Sequence, residues 1–216
     1  MAITVNSYTL NLFPGERPDV FYLPGSAEEG QTVFALLPQP RPALVCIDGI
    51  DWDRELSPWP APRAFKGGND FGGGAAAFLE VLEKQLVPAA EQELGFTPES
   101  RGLAGYSLGG LFTLWAMGQT ETFQRFASMS GSAWYDDFLD YFTRHLPQKA
   151  PLKVSISLGD GEKKTKNQRM ARVETCTLAI LEQLKGQNIP VFYRSESGGH
   201  FNDVNGRIAR GIAGAF

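Results

Sequence analysis

Gly105-Tyr106-Ser107-Leu108-Gly109 is the stretch of sequence that decides the fold. A short strand-like segment, Arg101–Ala104, precedes it and an apolar helical segment, Leu111–Met117, follows it. A serine in this G-x-S-x-G pattern lies on a sharp turn, where backbone crowding is expected to require glycine or a very small residue two positions before and two positions after it. The turn exposes the hydroxyl and places the next N–H at the start of a helix, where it can stabilise a developing oxyanion. The pattern therefore predicts that Ser107 is a nucleophile and that the N–H of Leu108 is an oxyanion donor.

An activated serine needs a base, and the chain has two histidines. His200 lies in the Gly-rich loop Ser197–Phe201, between the apolar strand Pro190–Tyr193 and the last predicted helix. In hydrolases whose catalytic residues follow the chain order serine, acid, histidine, the base comes last, on the loop after the final strand. His145 closes the predicted helix Asp136–His145, where a solvated histidine suits the negative helix end. We therefore predict that His200 is the base and that His145 has no catalytic role.

Short apolar strands alternate with helical patterns along the rest of the chain. Strands are predicted at Tyr8–Phe13 (as an edge strand), Val20–Leu23, Ala43–Ile47, around Leu103, at Phe126–Met129, at Leu152–Leu158 and around Val191. Helices are predicted at Gly74–Leu94 (with Pro88 in or near a kink), Leu108–Gln119, Asp136–His145, Thr165–Lys185 and Asn202–Ala213. Strands that alternate with helices of this length indicate βαβ crossovers and a mainly parallel sheet. Only a short connection is expected over Ser26–Gln39.

Composition limits the remaining possibilities. With 216 residues, 43% of them hydrophobic, the chain is expected to form a single domain over residues 1–216. A net charge of −4 and the absence of a basic stripe argue against a nucleic-acid partner. Cys46 and Cys176 lack the spacing of metal ligands, and we expect them to be reduced thiols packed inside the protein. Without a signal-peptide pattern or a long apolar run, we expect a cytoplasmic protein that has no membrane partner.

The segment Ala104–Phe112 resembles the nucleophile turn of α/β-hydrolases. More narrowly, it is similar to the "putative esterase" group that includes ferric enterobactin and salmochelin esterases and S-formylglutathione hydrolase. Other matching pieces are Ile47–Asp51, Phe78–Glu80, Leu86–Pro88, Ser130–Tyr135 and Gly198–His200. The resemblance implies an α/β-hydrolase fold, a mainly parallel central sheet with helices on both faces, compact and without a large lid domain. The chain departs from the group in size, since it has only one or two strands ahead of Val20.

The third member of a catalytic triad should follow the strand Leu152–Leu158. The loop there, Gly159–Glu162, offers two carboxylates that could take the second N–H of the histidine. The resembling esterases carry the acid three residues after the glycine that ends this strand, which implies Glu162. Asp160 is the alternative acid.

A second oxyanion donor should come from the loop after the Val20–Leu23 strand, because that strand is expected beside the strand of the nucleophile. Pro24 has no N–H to donate. Gly25 allows close approach of the backbone, so the N–H of Ser26 is the first candidate and that of Gly25 the second.

Only a short segment separates Ser132 from Leu152, which leaves no room for a multi-helix lid, so we expect an open, shallow pocket. Aromatic residues near the strand ends predict a preference for apolar or aromatic acyl groups, with Trp52, Trp134 and Tyr135 as the substrate-binding candidates and Trp59, Phe65 and Phe138 nearby. The basic run from Lys163 to Arg172 is typical of a solvated helix face. If it faced the pocket, it would favour an anionic substrate.

The sequence thus predicts a serine hydrolase that cleaves small carboxylic esters through an acyl-enzyme, with no metal or organic cofactor. Two alternatives remain open. One is a thioesterase or acyltransferase that uses the same triad, and the other is a non-catalytic binding protein of the same fold.

Overall fold

An eight-stranded sheet forms the centre of the molecule, and the computed structural model describes residues 1–216. The strands of the sheet are β1 (Ala2–Val5), β2 (Tyr8–Phe13), β3 (Asp19–Pro24), β4 (Ala43–Asp48), β7 (Ser100–Tyr106), β8 (Arg125–Met129), β9 (Lys153–Gly159) and β10 (Val191–Glu196). Across the sheet they lie in the order β1-β2-β4-β3-β7-β8-β9-β10. β1 and β2 run antiparallel to their neighbours, and all other pairs are parallel. Two short strands, β5 (Pro60–Ala61) and β6 (Phe71–Gly72), form a separate hairpin.

Helices cover both faces of the sheet. They are α1 (Ala27–Leu36), α2 (Trp52–Glu55), α3 (Ala75–Val81), α4 (Val87–Leu94), α5 (Leu108–Ala116), α6 (Phe138–Arg144), α7 (Val173–Gly186) and α8 (Val204–Gly214). On one face, α1 and α8 pack over a core of 14 buried residues. On the other face, α3 to α7 enclose a core of 41 buried residues, which explains why the central strands read as continuous apolar runs. None of these helices has the length and apolar character needed to cross a membrane.

This architecture confirms the predicted α/β-hydrolase fold class. The expected neighbours are in place, because β3 pairs in parallel with β7, the strand that leads to Ser107. The predicted long helix ahead of the nucleophile is also present. α3 and α4 are joined through a π-helical turn, Leu82–Leu86, and Pro88 is the second residue of α4. Proline lacks an N–H and its ring crowds the preceding helical turn, so a wider π-helical turn just before it is a way for the helix to accommodate it.

Three predictions about elements were wrong. β2 is not an edge strand, because β1 pairs along its outer side. The connection Ser26–Gln39 holds a helix, α1, whose start is marked by the hydroxyl of Ser26 accepting the N–H of Glu29, in an S-x-x-E capping pattern. The helix predicted from Thr165 begins later, with a 3₁₀ turn at Met170–Arg172 followed by α7.

Candidate active site

Ser107 occupies the turn between β7 and α5 with φ 55° and ψ −118°, a strained conformation for a residue with a side chain. A Cβ at Gly105 would overlap the carbonyl oxygen of Gly109, so glycine is required at 105. The same requirement does not hold at Gly109, where a Cβ would meet nothing closer than the Trp52 ring at 3.7 Å. The expectation that both flanking glycines are sterically required was therefore wrong for the second. The crowding falls instead on Gly110, where a Cβ would lie 2.8 Å from a neighbouring backbone atom.

Three side chains predicted from the sequence meet at the carboxyl ends of the parallel strands. Ser107 follows β7, Glu162 follows β9 and His200 follows β10. The Oγ of Ser107 lies 3.0 Å from Nε2 of His200, and Nδ1 of His200 lies 2.7 Å from Oε2 of Glu162. The His200 side chain is 23% exposed and that of Glu162 only 3%, so the imidazole borders the solvent and the carboxylate does not.

The remaining two candidates for acid and base lie elsewhere. The carboxylate of Asp160 accepts the N–H of Gly198 at 2.9 Å, which ties down the loop that carries His200. Since Nδ1 of His200 faces Glu162, the structure does not place Asp160 as the partner of the imidazole. His145 stacks on Tyr141 at the end of α6, on the exposed surface.

The Glu162 carboxylate is held by four hydrogen bonds. Its Oε1 accepts from Ser130 Oγ at 2.7 Å, from the N–H of Gly159 at 2.8 Å and from Nη1 of Arg207 at 3.1 Å, while Oε2 faces His200. Burial acts to raise the pKa of this carboxyl, but hydrogen bonds from His200, Ser130 and Gly159 outweigh burial and lower the pKa below its usual value. Glu162 therefore stays ionised and keeps one oxygen directed at the imidazole.

Sequence reasoning missed Arg207, whose side chain is fully buried below this group. Its Nη1 also lies 3.1 Å from Ser130 Oγ and 3.3 Å from the hydroxyl of Tyr106, and its Nη2 donates to the carbonyl of Ser197 at 2.9 Å. The Tyr106 hydroxyl in turn donates to the carbonyl of His200 at 2.5 Å. Burial raises the pKa of Tyr106, so this hydroxyl keeps its proton. Arg207 is thus linked to both Glu162 and the His200 loop.

The candidate oxyanion donors have different surroundings. Leu108 is the first residue of α5, where backbone N–H groups point out of the helix. The N–H of Gly25 donates to the carbonyl of Ile47 at 2.9 Å, so the second-choice donor is already occupied. The N–H of Ser26 makes no hydrogen bond within the protein.

A cavity of about 220 Å³ opens beside Ser107 and His200. Of the predicted substrate-binding residues, Trp52 and Trp134 line it. Tyr135 does not, because its ring is buried in the core and its hydroxyl donates to the carbonyl of Trp59, so that prediction was wrong. Much of one wall comes from the segment that links β5 to β6 and from the start of β6, and its lining residues are Arg63, Ala64, Phe65, Gly68, Asn69 and Phe71.

The basic run Lys163–Arg172 is held by other contacts. Lys163 pairs with Glu174, and Arg169 pairs with Asp136 at 2.8 Å. None of the lysines or arginines of this run lines the cavity. The condition under which that run would favour an anionic substrate is therefore not met.

The sequence matches a family model and two known proteins. The family model described as "Putative esterase" matches residues 26–203. YbbA of Bacillus subtilis is 30% identical over 82% of this chain and 77% of its own length. Apo-salmochelin esterase of Escherichia coli is 32% identical over 66% of this chain, which spans half of that protein's length.

A solved structure shares the fold. The crystal structure of an IroE-like serine hydrolase from Shewanella oneidensis superposes with a TM-score of 0.76, at 18% identity, over 95% of this chain and 74% of that one. Together with the match over most of the sequence, these findings show that the chain belongs to the "Putative esterase" family of carboxylic ester hydrolases.

Proposed function

We propose that this protein hydrolyses small carboxylic esters through an acyl-enzyme formed on Ser107. The observation that carries the proposal is the continuous chain of hydrogen bonds from Ser107 Oγ through His200 to Glu162, at 3.0 and 2.7 Å, beside an open cavity. Membership of a family of ester hydrolases supports the same reading.

In the proposed reaction His200 is the general base and then the general acid. Nε2 takes the proton of Ser107 as Oγ attacks the ester carbonyl, and the imidazolium returns that proton to the leaving alcohol when the tetrahedral intermediate collapses. A water molecule then attacks the acyl-serine with the same proton relay, which releases the carboxylic acid and restores the serine. Glu162 holds the tautomer with the proton on Nδ1 and stabilises the imidazolium.

Negative charge on the carbonyl oxygen needs preorganised donors. We assign this role to the N–H of Leu108 at the start of α5 and to the N–H of Ser26 on the loop after β3. The availability of the Ser26 N–H supports the assignment, as does the position of that loop beside the nucleophile turn, where Pro24 lies near Gly109.

The shape and lining of the cavity favour a compact substrate. Trp52, Phe65, Phe71 and Trp134 present apolar surface, and about 220 Å³ accommodates a short acyl or single-ring group rather than a long chain. The name of one relative, apo-salmochelin esterase, adds salmochelin esters as candidates for trial. Arg63 is the cationic residue of the lining, and Asp53 is its anionic counterpart.

Covalent labelling by a fluorophosphonate, followed by identification of the modified peptide, tests this proposal. We expect the label on Ser107 in the wild type and none in Ser107→Ala. Ser132→Ala is a matched control, because Ser132 lines the same cavity and should not be required for labelling. An unlabelled wild type would favour the non-catalytic binding protein, and parallel trials with nitrophenyl esters and acyl thioesters separate an esterase from a thioesterase.

A further inference from the structure

Arg207 is a buried charge on α8, outside the groups that react in the proposed mechanism. Its side chain has no exposed surface, and its one carboxylate partner is Glu162, which is 3% exposed. Burying an ion pair costs desolvation free energy that its Coulomb attraction often fails to recover, and an apolar residue of similar size commonly serves stability as well or better. The guanidinium is therefore more readily explained by a role in the function of Glu162 and His200 than by stability alone.

Resting on the proposed ester hydrolysis, we propose that Arg207 is a positioning residue. It fixes Glu162 and the His200 loop, and its charge lets Ser107 react at lower pH than it otherwise would.

The positioning step follows from which atoms Arg207 touches. Nη1 shares Oε1 of Glu162 with two other donors, so this oxygen is fully engaged and the other oxygen is left for His200. Nη2 donates to the carbonyl of Ser197, three residues before His200. The planar guanidinium fork of Arg207 thus links the Glu162 carboxylate to the loop that carries His200 through one rigid group.

The charge step follows from the order of the groups. The carboxylate of Glu162 lies in a row between two groups, with the Arg207 guanidinium at Oε1 and the His200 imidazole at Oε2. The carboxylate favours a protonated imidazole, whereas the guanidinium beyond it opposes a second positive charge. Loss of the guanidinium should therefore move the pH dependence of the serine's reactivity upward. The other titratable or charged groups that face or flank this row are Tyr106 on β7, Asp160 and Lys163 after β9, Tyr193 on β10, Asp203 before α8, and Asp53 and Arg63 on the cavity wall.

The test measures the rate at which a fluorophosphonate labels the serine as a function of pH. Arg207→Gln keeps a donor near Glu162 but removes the charge, and Arg207→Lys keeps the charge but loses the fork. Arg210→Gln is the matched control, since Arg210 lies one turn further along α8 and pairs with Glu196 and Asp203 instead.

We expect Arg207→Gln to move the midpoint of the acid limb upward by about one pH unit, the size of effect a nearby charge exerts through partly buried surroundings. Arg207→Lys should keep the midpoint within about 0.3 unit of wild type but lower the limiting rate roughly tenfold, because one ammonium group cannot hold both partners. With a nitrophenyl ester, kcat should fall in both variants while KM changes by less than about twofold. Arg210→Gln should match the wild type throughout.

The outcomes separate the two proposals. A wild type that is not labelled overturns ester hydrolysis and this inference with it. A labelled wild type with the same midpoint in Arg207→Gln overturns the inference alone. Circular dichroism and thermal unfolding check that each variant is folded. If Arg207→Gln does not fold, the test rests on Arg207→Lys. A wild-type labelling rate at every pH in that variant would show that the guanidinium does not position Glu162 or the His200 loop.

Discussion

Replacing Glu162 with glutamine changes one carboxylate oxygen to an amide NH₂ and keeps the size of the side chain. Oε1 faces the N–H of Gly159 and Nη1 of Arg207, which can only donate, as well as the Ser130 hydroxyl, so an NH₂ in that site would meet two repulsive contacts. The amide oxygen must stay there, which turns the NH₂ toward Nδ1 of His200. Nδ1 must then become the acceptor, and the ring proton moves to Nε2. A histidine in that tautomer cannot take the proton of the serine.

The expected loss in kcat is on the order of 10²–10⁴, equivalent to about 3–5 kcal/mol of transition-state stabilisation. We expect KM to stay within a few-fold of wild type, because Glu162 does not line the cavity. Steady-state hydrolysis of nitrophenyl acetate and single-turnover acylation measure both quantities.

Asp160→Asn is the matched control for Glu162→Gln. Its side-chain carbonyl can still accept the N–H of Gly198, so we expect less than a tenfold loss in kcat. If Glu162→Gln retained more than a third of wild-type kcat, the tautomer argument would be refuted. If Asp160→Asn were the more damaging change, the role of the acid would pass to Asp160.

The other expectations concern the nucleophile, acid stability, the turn and substrate size. Ser107→Ala should fold as the wild type does and retain less than about one thousandth of its turnover, measured with nitrophenyl acetate, because no other group forms the acyl-enzyme. Because the pKa of Glu162 is lowered in the folded state, its ionised carboxylate stabilises the fold above the unfolded pKa of about 4.3, and this stabilisation is lost as pH falls through the folded pKa. The difference in the free energy of unfolding between wild type and Glu162→Gln, measured in urea, should therefore narrow from pH 6 to pH 3, and a constant difference would contradict this. Gly105→Ala should cost about 1–3 kcal/mol in the free energy of unfolding because its Cβ would overlap Gly109, whereas Gly186→Ala, with nothing within 4 Å, should cost none. In an acyl-length series of nitrophenyl esters, short chains should give the highest kcat/KM, and a maximum at twelve carbons or more would mean a deeper pocket than the cavity indicates.

Local signals in the sequence were enough to predict the parts of the site that depend on short segments. The turn at Ser107 is dictated by the neighbouring residues, because Gly105 has no room for a side chain. The position of His200 after the last strand follows from chain order. The residues alone leave Glu162 and Asp160 open, and the choice of Glu162 comes from the resemblance to esterases that carry the acid three residues after a strand-ending glycine. Helix α1 was missed although Ser26 and Glu29 carry a capping pattern, since no strong apolar periodicity follows it.

What the sequence could not predict depends on contacts between distant segments. Arg207 lies on the apolar face of α8, between Val204 and Ile208, and its partners come from other strands and loops. An arginine on such a face is the signal that could have been used. Tyr135 and Trp134 are adjacent in sequence, yet only Trp134 reaches the cavity, because the direction of a loop side chain is set by tertiary packing.

The placement of the three reacting groups has a consequence for how the chain acquires its activity during folding. Ser107 and His200 are 93 residues apart in sequence, and Tyr106 and Arg207 are 101 apart. Contacts between such distant positions form only after the chain between them has been ordered, which makes them slow to form. The strands β7, β9 and β10 and the loops that follow them must all be in place before the proton relay exists. Recovery of fluorophosphonate reactivity during refolding is therefore a sensor of the last steps of assembly, later than recovery of helical signal in circular dichroism.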